Sequence, residues 1–169
     1  MNNELIINST AAEVTIALLS NKRLVELNQE QTNNNYSVGD VYLGRVKKVM
    51  PGLNAAFVDV GYEKDAFLHY LDLGPHANSV NAYTKLVQSG KKKGAKLDKF
   101  RKEKEVPKDG KIGSIVSANQ QILVQIAKEP ISTKGPRITS EISLAGRYIV
   151  LIPFSNKISV SQKIKTSGE

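Results

Sequence analysis

The stretch GLNAAFVDVGYEKDAFLH, Gly52 to His69, decides how this chain is read. Two short apolar runs flank a turn, and each run carries one phenylalanine. Side chains on a strand alternate between faces. In the first run Ala56, Val58 and Val60 share one face, while Phe57 and Asp59 share the other. In the second, Ala66, Leu68 and Tyr70 share a face, while Asp65, Phe67 and His69 share the other. Both phenylalanines fall on the more polar side. A reversal around Gly61–Lys64 sets Phe57 opposite Phe67 and Asp59 opposite Asp65, and residues opposite in a ladder point the same way. Two readings stay open. The rings fill a small barrel, as Phe usually does, or they stand outward where an unpaired base can stack. Like charges at Asp59 and Asp65 weigh against that register.

The rest of the chain reads as mainly β. Leu5–Ile7, Val14–Leu19 and Leu24–Leu27 form two or three strands of a meander, and NQEQTNNNYSVGD is a polar connector. Strand-like runs follow at Val41–Val49, Ala55–Val60 and Ala66–Tyr70, then at Ser114–Ala118, Ile122–Ile126 and Arg137–Ile142. Tyr148–Ile152 and Ile158–Val160 close the series. Between them, residues 75–110 read as loop and basic insertion with a short helix near Tyr83–Gln88.

Composition narrows the function. The chain has 169 residues, 40% of them hydrophobic, with no cysteine and two histidines. Disulfides and thiolate metal sites are excluded, and two histidines do not make a zinc site alone. The start carries no basic segment followed by an apolar one, and no apolar run approaches the ~20 residues that span a bilayer. A soluble, cytoplasmic protein with no membrane segment is expected. The net charge is +8, and Lys85–Lys111 alone holds eleven Lys and Arg against four Asp and Glu. Such a cluster draws phosphate backbones by releasing counterions; the plainer reading is a solvated loop. Asp59, Glu63 and Asp65 sit at a turn and read as solvated surface rather than a metal cluster. VKKVMPG lacks the glycine spacing of a phosphate loop.

With those residues in view, SVGDVYLGRVKKVMPGLNAAFVDVGYEKDAFLHYLDL, Ser37 to Leu73, resembles the first three strands of an S1 RNA-binding domain, an oligonucleotide-binding-fold barrel. The form AAFVDVGYEKDAFLH, together with KGPRITSEISLAGRYIVLIP (Lys134 to Pro153) and VSQKI (Val160 to Ile164), resembles the ribonuclease E/G family. The amino-terminal hairpin resembles the opening strands of that family's ribonuclease H-like subdomain. The resemblance implies three regions. Residues 1–35 would open a ribonuclease H-like subdomain that needs later sequence to complete it. Residues 36–142 would be an S1 five-stranded barrel with a basic insertion at about 76–110. Residues 143–169 would start a 5′-sensor-like region.

The resemblance also implies roles. Phe57 and Phe67 would stack bases of single-stranded RNA, and Lys134 would contact the RNA backbone. His69 and Arg137 fall where S1 domains often touch RNA. Gly146 and Val150 align with a pocket that senses a 5′-monophosphate. Ala127 stands where many S1 domains have an acidic residue. The family cleaves RNA with magnesium held by two aspartates and joins subunits through zinc held by paired cysteines, and neither motif is in these residues. No cofactor is expected in this chain, and it is expected to bind RNA without cutting it. An enzyme with its own active site, and a non-enzymatic S1 protein of the ribosome or of translation, are the alternatives.

Overall fold

The computed structural model describes residues 2–31, 36–91 and 100–161. The chain forms two compact units, Met1–Asn35 and Tyr36–Glu169. In the first, β1 (Asn3–Ser9), β2 (Glu13–Ser20) and β3 (Arg23–Gln31) make an antiparallel sheet in the order β1-β2-β3. Asn21 and Lys22 take positive φ at the β2–β3 turn, the left-handed geometry of a tight hairpin. Leu5, Ile7, Leu24 and Leu27 remain more than half exposed. Among the described residues of this unit no second layer covers either face of the sheet.

The second unit is built on β4 (Val41–Met50), β5 (Ala55–Asp59), β6 (Ala66–His69), β7 (Gln121–Lys128) and β8 (Arg137–Thr139). They close a barrel in the order β4-β5-β6-β8-β7, with β7 returning to β4. All neighbours are antiparallel except β6 and β8, which meet in parallel. This is the five-stranded Greek-key barrel of the oligonucleotide-binding fold. Val46, Val58, Leu68, Val124, Ile126 and Ile138 fill it, each at most 1% exposed. Sealing a side chain of this size contributes ~1.5–3 kcal/mol. Gly44 makes room on the inner face, because a Cβ there would lie 2.6 Å from a Val58 methyl.

Helix α1 (Ala77–Gln88) connects β6 to β7 and buries Ala77 and Val80. It begins six residues before the expected Tyr83, because its first turn is buried through small side chains that carry little periodic signal. Ser114–Ala118, expected as a strand, is instead a 3-10 turn at Ile112–Ser114 followed by irregular chain. Ile112 and Val116 there are buried in the barrel core, so the apolar pattern reflects burial and not a strand. The expected strand Arg137–Ile142 stops at Thr139, where its hydroxyl accepts the Glu141 N–H at 3.0 Å and turns the chain.

Residues 92–99 of the basic insertion lie outside the described residues. The part that is described is tied to the barrel. Val106 N–H donates to Pro75 O at 2.8 Å, and the Tyr70 hydroxyl to Pro107 O at 2.7 Å. Asn54 reaches Gly110 O and the Ile112 N–H with its two side-chain atoms. Beyond the barrel, β9 (Leu144–Ala145), β10 (Ile149–Leu151) and β11 (Ser159–Val160) form a small antiparallel sheet.

Two devices hold the β5–β6 hairpin. Lys47 is the extra residue of a β-bulge between Val46 and Lys48. Its Nζ lies 2.9 Å from Asp65 and 3.6 Å from Asp59, so one cation answers the like charges that weigh against this register. The Gly61 N–H that Asp59 accepts, and then Lys47, hold the Asp59 carboxyl below its ordinary range. The second device is Gly135. It passes so close to the hairpin that a Cβ would clash with Asp65 O and stand 2.8 Å from Lys64 O.

Gly135→Ala is therefore expected to cost ~1–3 kcal/mol, read as a melting temperature several degrees lower; equal melting would contradict the close approach. The Asp59 carboxylate stabilises the fold above its unfolded pKa of about 3.9, and that contribution is lost as pH falls through the lower folded value. Lys47→Met is expected to melt lower than wild type at neutral pH and to lose less on acidification, since protonation then relieves Asp59–Asp65 repulsion. A wild-type to variant difference that does not change with pH would contradict the clamp.

Candidate nucleic-acid interface

The barrel interior sets the outer face. With Ala56, Val58, Ala66 and Leu68 fully sealed inside, alternation sends Phe57 and Phe67 outward, where both are half-buried. They pair directly across β5 and β6, with ring centroids 5.7 Å apart and planes at 65°. The register continues both ways. Lys48 opposes Phe57, Arg137 neighbours Phe67, and Lys128 opposes Arg137. Lys48, Phe57, Phe67, Arg137 and Lys128 thus form one row across five strands. Because β7 returns to β4, this row follows the curve of the barrel wall, with Lys48 and Arg137 at the register positions on either side of the two rings.

A cleft of about 610 Å³ opens on this row, lined by Phe57, Phe67, Lys64, Lys134 and Arg137 among others. Four of the five residues expected to touch RNA therefore share one concavity. Lys134 sits in the β7–β8 loop, whose turn is closed by a bond from the Lys134 N–H to Ile131 O at 3.0 Å. Phe67 N–H donates to Pro136 O at 2.9 Å, which docks that loop beside the ring. His69, the fifth, does not line the cleft. Its ring lies near-parallel to Phe67 at 6.4 Å, and its Nδ1 accepts the Leu71 N–H, which leaves Nε2 as the N–H of the neutral ring.

The cations differ in state. Arg137 is bound by Asp72, Nε to Oδ2 at 2.9 Å and Nη2 to Oδ1 at 3.0 Å, and this pairing raises its pKa further. Among the described residues Lys48, Lys64, Lys128 and Lys134 make no ion pair.

Gly146 and Val150 lie apart from this cleft, on the β9–β10 hairpin. Gly146 N–H donates to Ile149 O at 2.8 Å, and Val150 pairs with Ala145 and Ser159. Val150 and Lys157 line a separate cleft of about 230 Å³. A larger cleft, about 670 Å³, has apolar walls that include Tyr83, Phe100, Leu123 and Phe154. Among the described residues its one lysine is Lys102, whose ammonium donates to two neutral oxygens, Phe154 O and Asn156 Oδ1. Among the described residues no group of three or more His, Asp or Glu could hold a metal ion, and no helix is long and apolar enough to cross a membrane.

Sequence reasoning missed Lys48, Lys64 and Lys128. Lys48 and Lys128 each follow the extra residue of a β-bulge, at Lys47 and at Ala127, and strict alternation fails there. The adjacent KK of VKKVM is the signal that was available, since two consecutive lysines on one strand need such a break to stay out of the core.

Comparison with known proteins bears on this arrangement. No family model matches the chain. Over all 169 residues it is 36% identical to ribonuclease G of Escherichia coli strain K12, covering 31% of that protein. It is 37% identical over 166 residues, 98% of this chain, to ribonuclease G of Haemophilus influenzae, covering 30% of it. A ribonuclease E/G-like protein of Porphyra purpurea is 41% identical over 138 residues, 81% of this chain and 22% of its own length. The chain thus spans under a third of the length of these curated relatives. Identity at this level, running through the barrel strands and the strands before and after them in the sequence, makes the chain a member of the ribonuclease E/G family.

Proposed function

We propose that this chain is the S1 module of a ribonuclease E/G-type endoribonuclease, gripping single-stranded RNA for processing and decay without cutting it. The observation that carries the reading is the pair of outward rings, Phe57 and Phe67, with Lys48 and Arg137 next to them in register and Lys64 and Lys134 lining the same cleft. Unpaired bases stack on the rings, at ~1–3 kcal/mol per base and with little regard to sequence. The unpaired lysines track the backbone, Lys134 and Lys64 from the cleft wall and Lys48 and Lys128 from neighbouring register positions. A duplex offers no free base faces, so the site favours single strands.

Hydrolysis needs an activated water and stabilisation of developing charge. No carboxylate cluster among the described residues supports that here, and we assign cleavage, with the magnesium and zinc the resemblance implies, to the longer enzyme. A role for Gly146 and Val150 in sensing a 5′-phosphate rests on the resemblance, with Lys157 beside Val150 as a suitable cation. Relatives named as ribonucleases along the whole chain do not favour a ribosomal or translational S1 protein.

The test is titration with a short unstructured RNA, with magnesium present to check for cleavage. Phe57→Ala and Phe67→Ala are each expected to weaken binding by at least ~1 kcal/mol, about fivefold, with the barrel still folded. Lys134→Ala is expected to flatten the slope of log affinity against log salt by about 0.7. Folded phenylalanine variants that bind as wild type would overturn the reading.

A further inference from the structure

We infer that Arg137 meets RNA as half of a neutral pair, donating from its free guanidinium edge to acceptors on a base, and does not hold a phosphate. The inference rests on the RNA-binding reading above and assigns Arg137 a different task from the lysines around it.

The geometry is specific. Asp72 takes one edge of the guanidinium fork, the one formed by Nε and Nη2. The opposite edge, Nη1 with the second Nη2 hydrogen, stays outside the pair. The Asp72 side chain is 19% exposed and that of Arg137 45%, so the carboxylate is sheltered and the cation open. Asp72 is itself fixed, because its carbonyl accepts the Thr139 hydroxyl at 2.7 Å and the Ser140 N–H at 3.1 Å. Both donors lie at or just beyond the end of β8, the strand that carries Arg137. Asp72 is thus a positioning residue that sets one orientation of the guanidinium.

Location decides what that orientation meets. Arg137 neighbours Phe67 in register and lines the same cleft. A base stacked on Phe67 brings its edge toward the free side of the fork. The pair carries no net charge, so it displaces no counterion when RNA arrives, whereas each unpaired lysine that meets a phosphate does. Two adjacent donors match two adjacent acceptors, as on cytosine O2 and N3 or guanine O6 and N7. The Watson–Crick and Hoogsteen edges of adenine set an amino donor beside each ring acceptor. The site therefore prefers cytosine or guanine over adenine at the Phe67 position.

The experiment compares binding of oligocytidine and oligoadenosine of equal length, across a salt series, by wild type and by the double variant Asp72→Asn/Arg137→Met. That variant removes the pair without changing net charge, and its melting curve reports folding. Wild type is expected to favour oligocytidine by at least about fivefold, and the double variant to lose that preference while keeping the wild-type salt slope. Asp72→Asn alone keeps the arginine and frees its charge, so its salt slope is expected to steepen by about 0.7. A double variant whose slope flattens by that amount, or an unaltered base preference, would overturn the inference and leave RNA binding standing. Loss of the effect of Phe57→Ala would strike the RNA reading itself.

Discussion

A barrel this small has one inside, and that limit governs the rest of the structure. Ala56, Val58, Ala66 and Leu68 are wholly sealed within it. A strand cannot turn two consecutive side chains inward, so Phe57 and Phe67 are held on the outer wall by the packing of their neighbours. The rings need no local stabilisation of their own to stay there. Moving either inward would slip the register by one residue and put Asp59 or Asp65 into the core.

Departures from that alternation place the charges. The bulge at Lys47 lets three residues, Lys47, Lys48 and then Val49, take outer, outer and partly buried positions in sequence. Lys47 turns to the Asp59–Asp65 pair and closes the hairpin end, while Lys48 joins the aromatic row. The bulge at Ala127 does the same for Lys128 on the far side. Gly135 then allows the β7–β8 loop to lie against the hairpin, which brings Lys134 into the cleft that the rings line. Structural closure and ligand-facing charge are thus set by the same few residues.

Much of this was legible in the sequence, and the reasons differ by element. The Phe57–Phe67 pairing follows from period-two patterning and a turn, both local signals, and the structure has that pairing. The mainly β class followed from the strand patterning, and the barrel from the resemblance. Lys48 and Lys128 were hidden because a bulge resets the period without leaving a mark in hydrophobicity. The like charges at Asp59 and Asp65 weighed against the register that the structure has, because what answers them, Lys47, comes from a third strand. Ser114–Ala118 misled because a short apolar run is compatible with any buried chain. The Arg137–Asp72 pair joins residues far apart in the chain, and nothing local announces it.

The most direct test is an aromatic-ring NMR titration of this chain with a short unstructured RNA. If bases stack on the outer wall, the ring protons of Phe57 and Phe67 move upfield together as RNA is added, while the methyl groups of Leu68 and Ile138 inside the barrel stay in place. RNA binding that shifts lysine signals and leaves both rings unmoved would contradict the account.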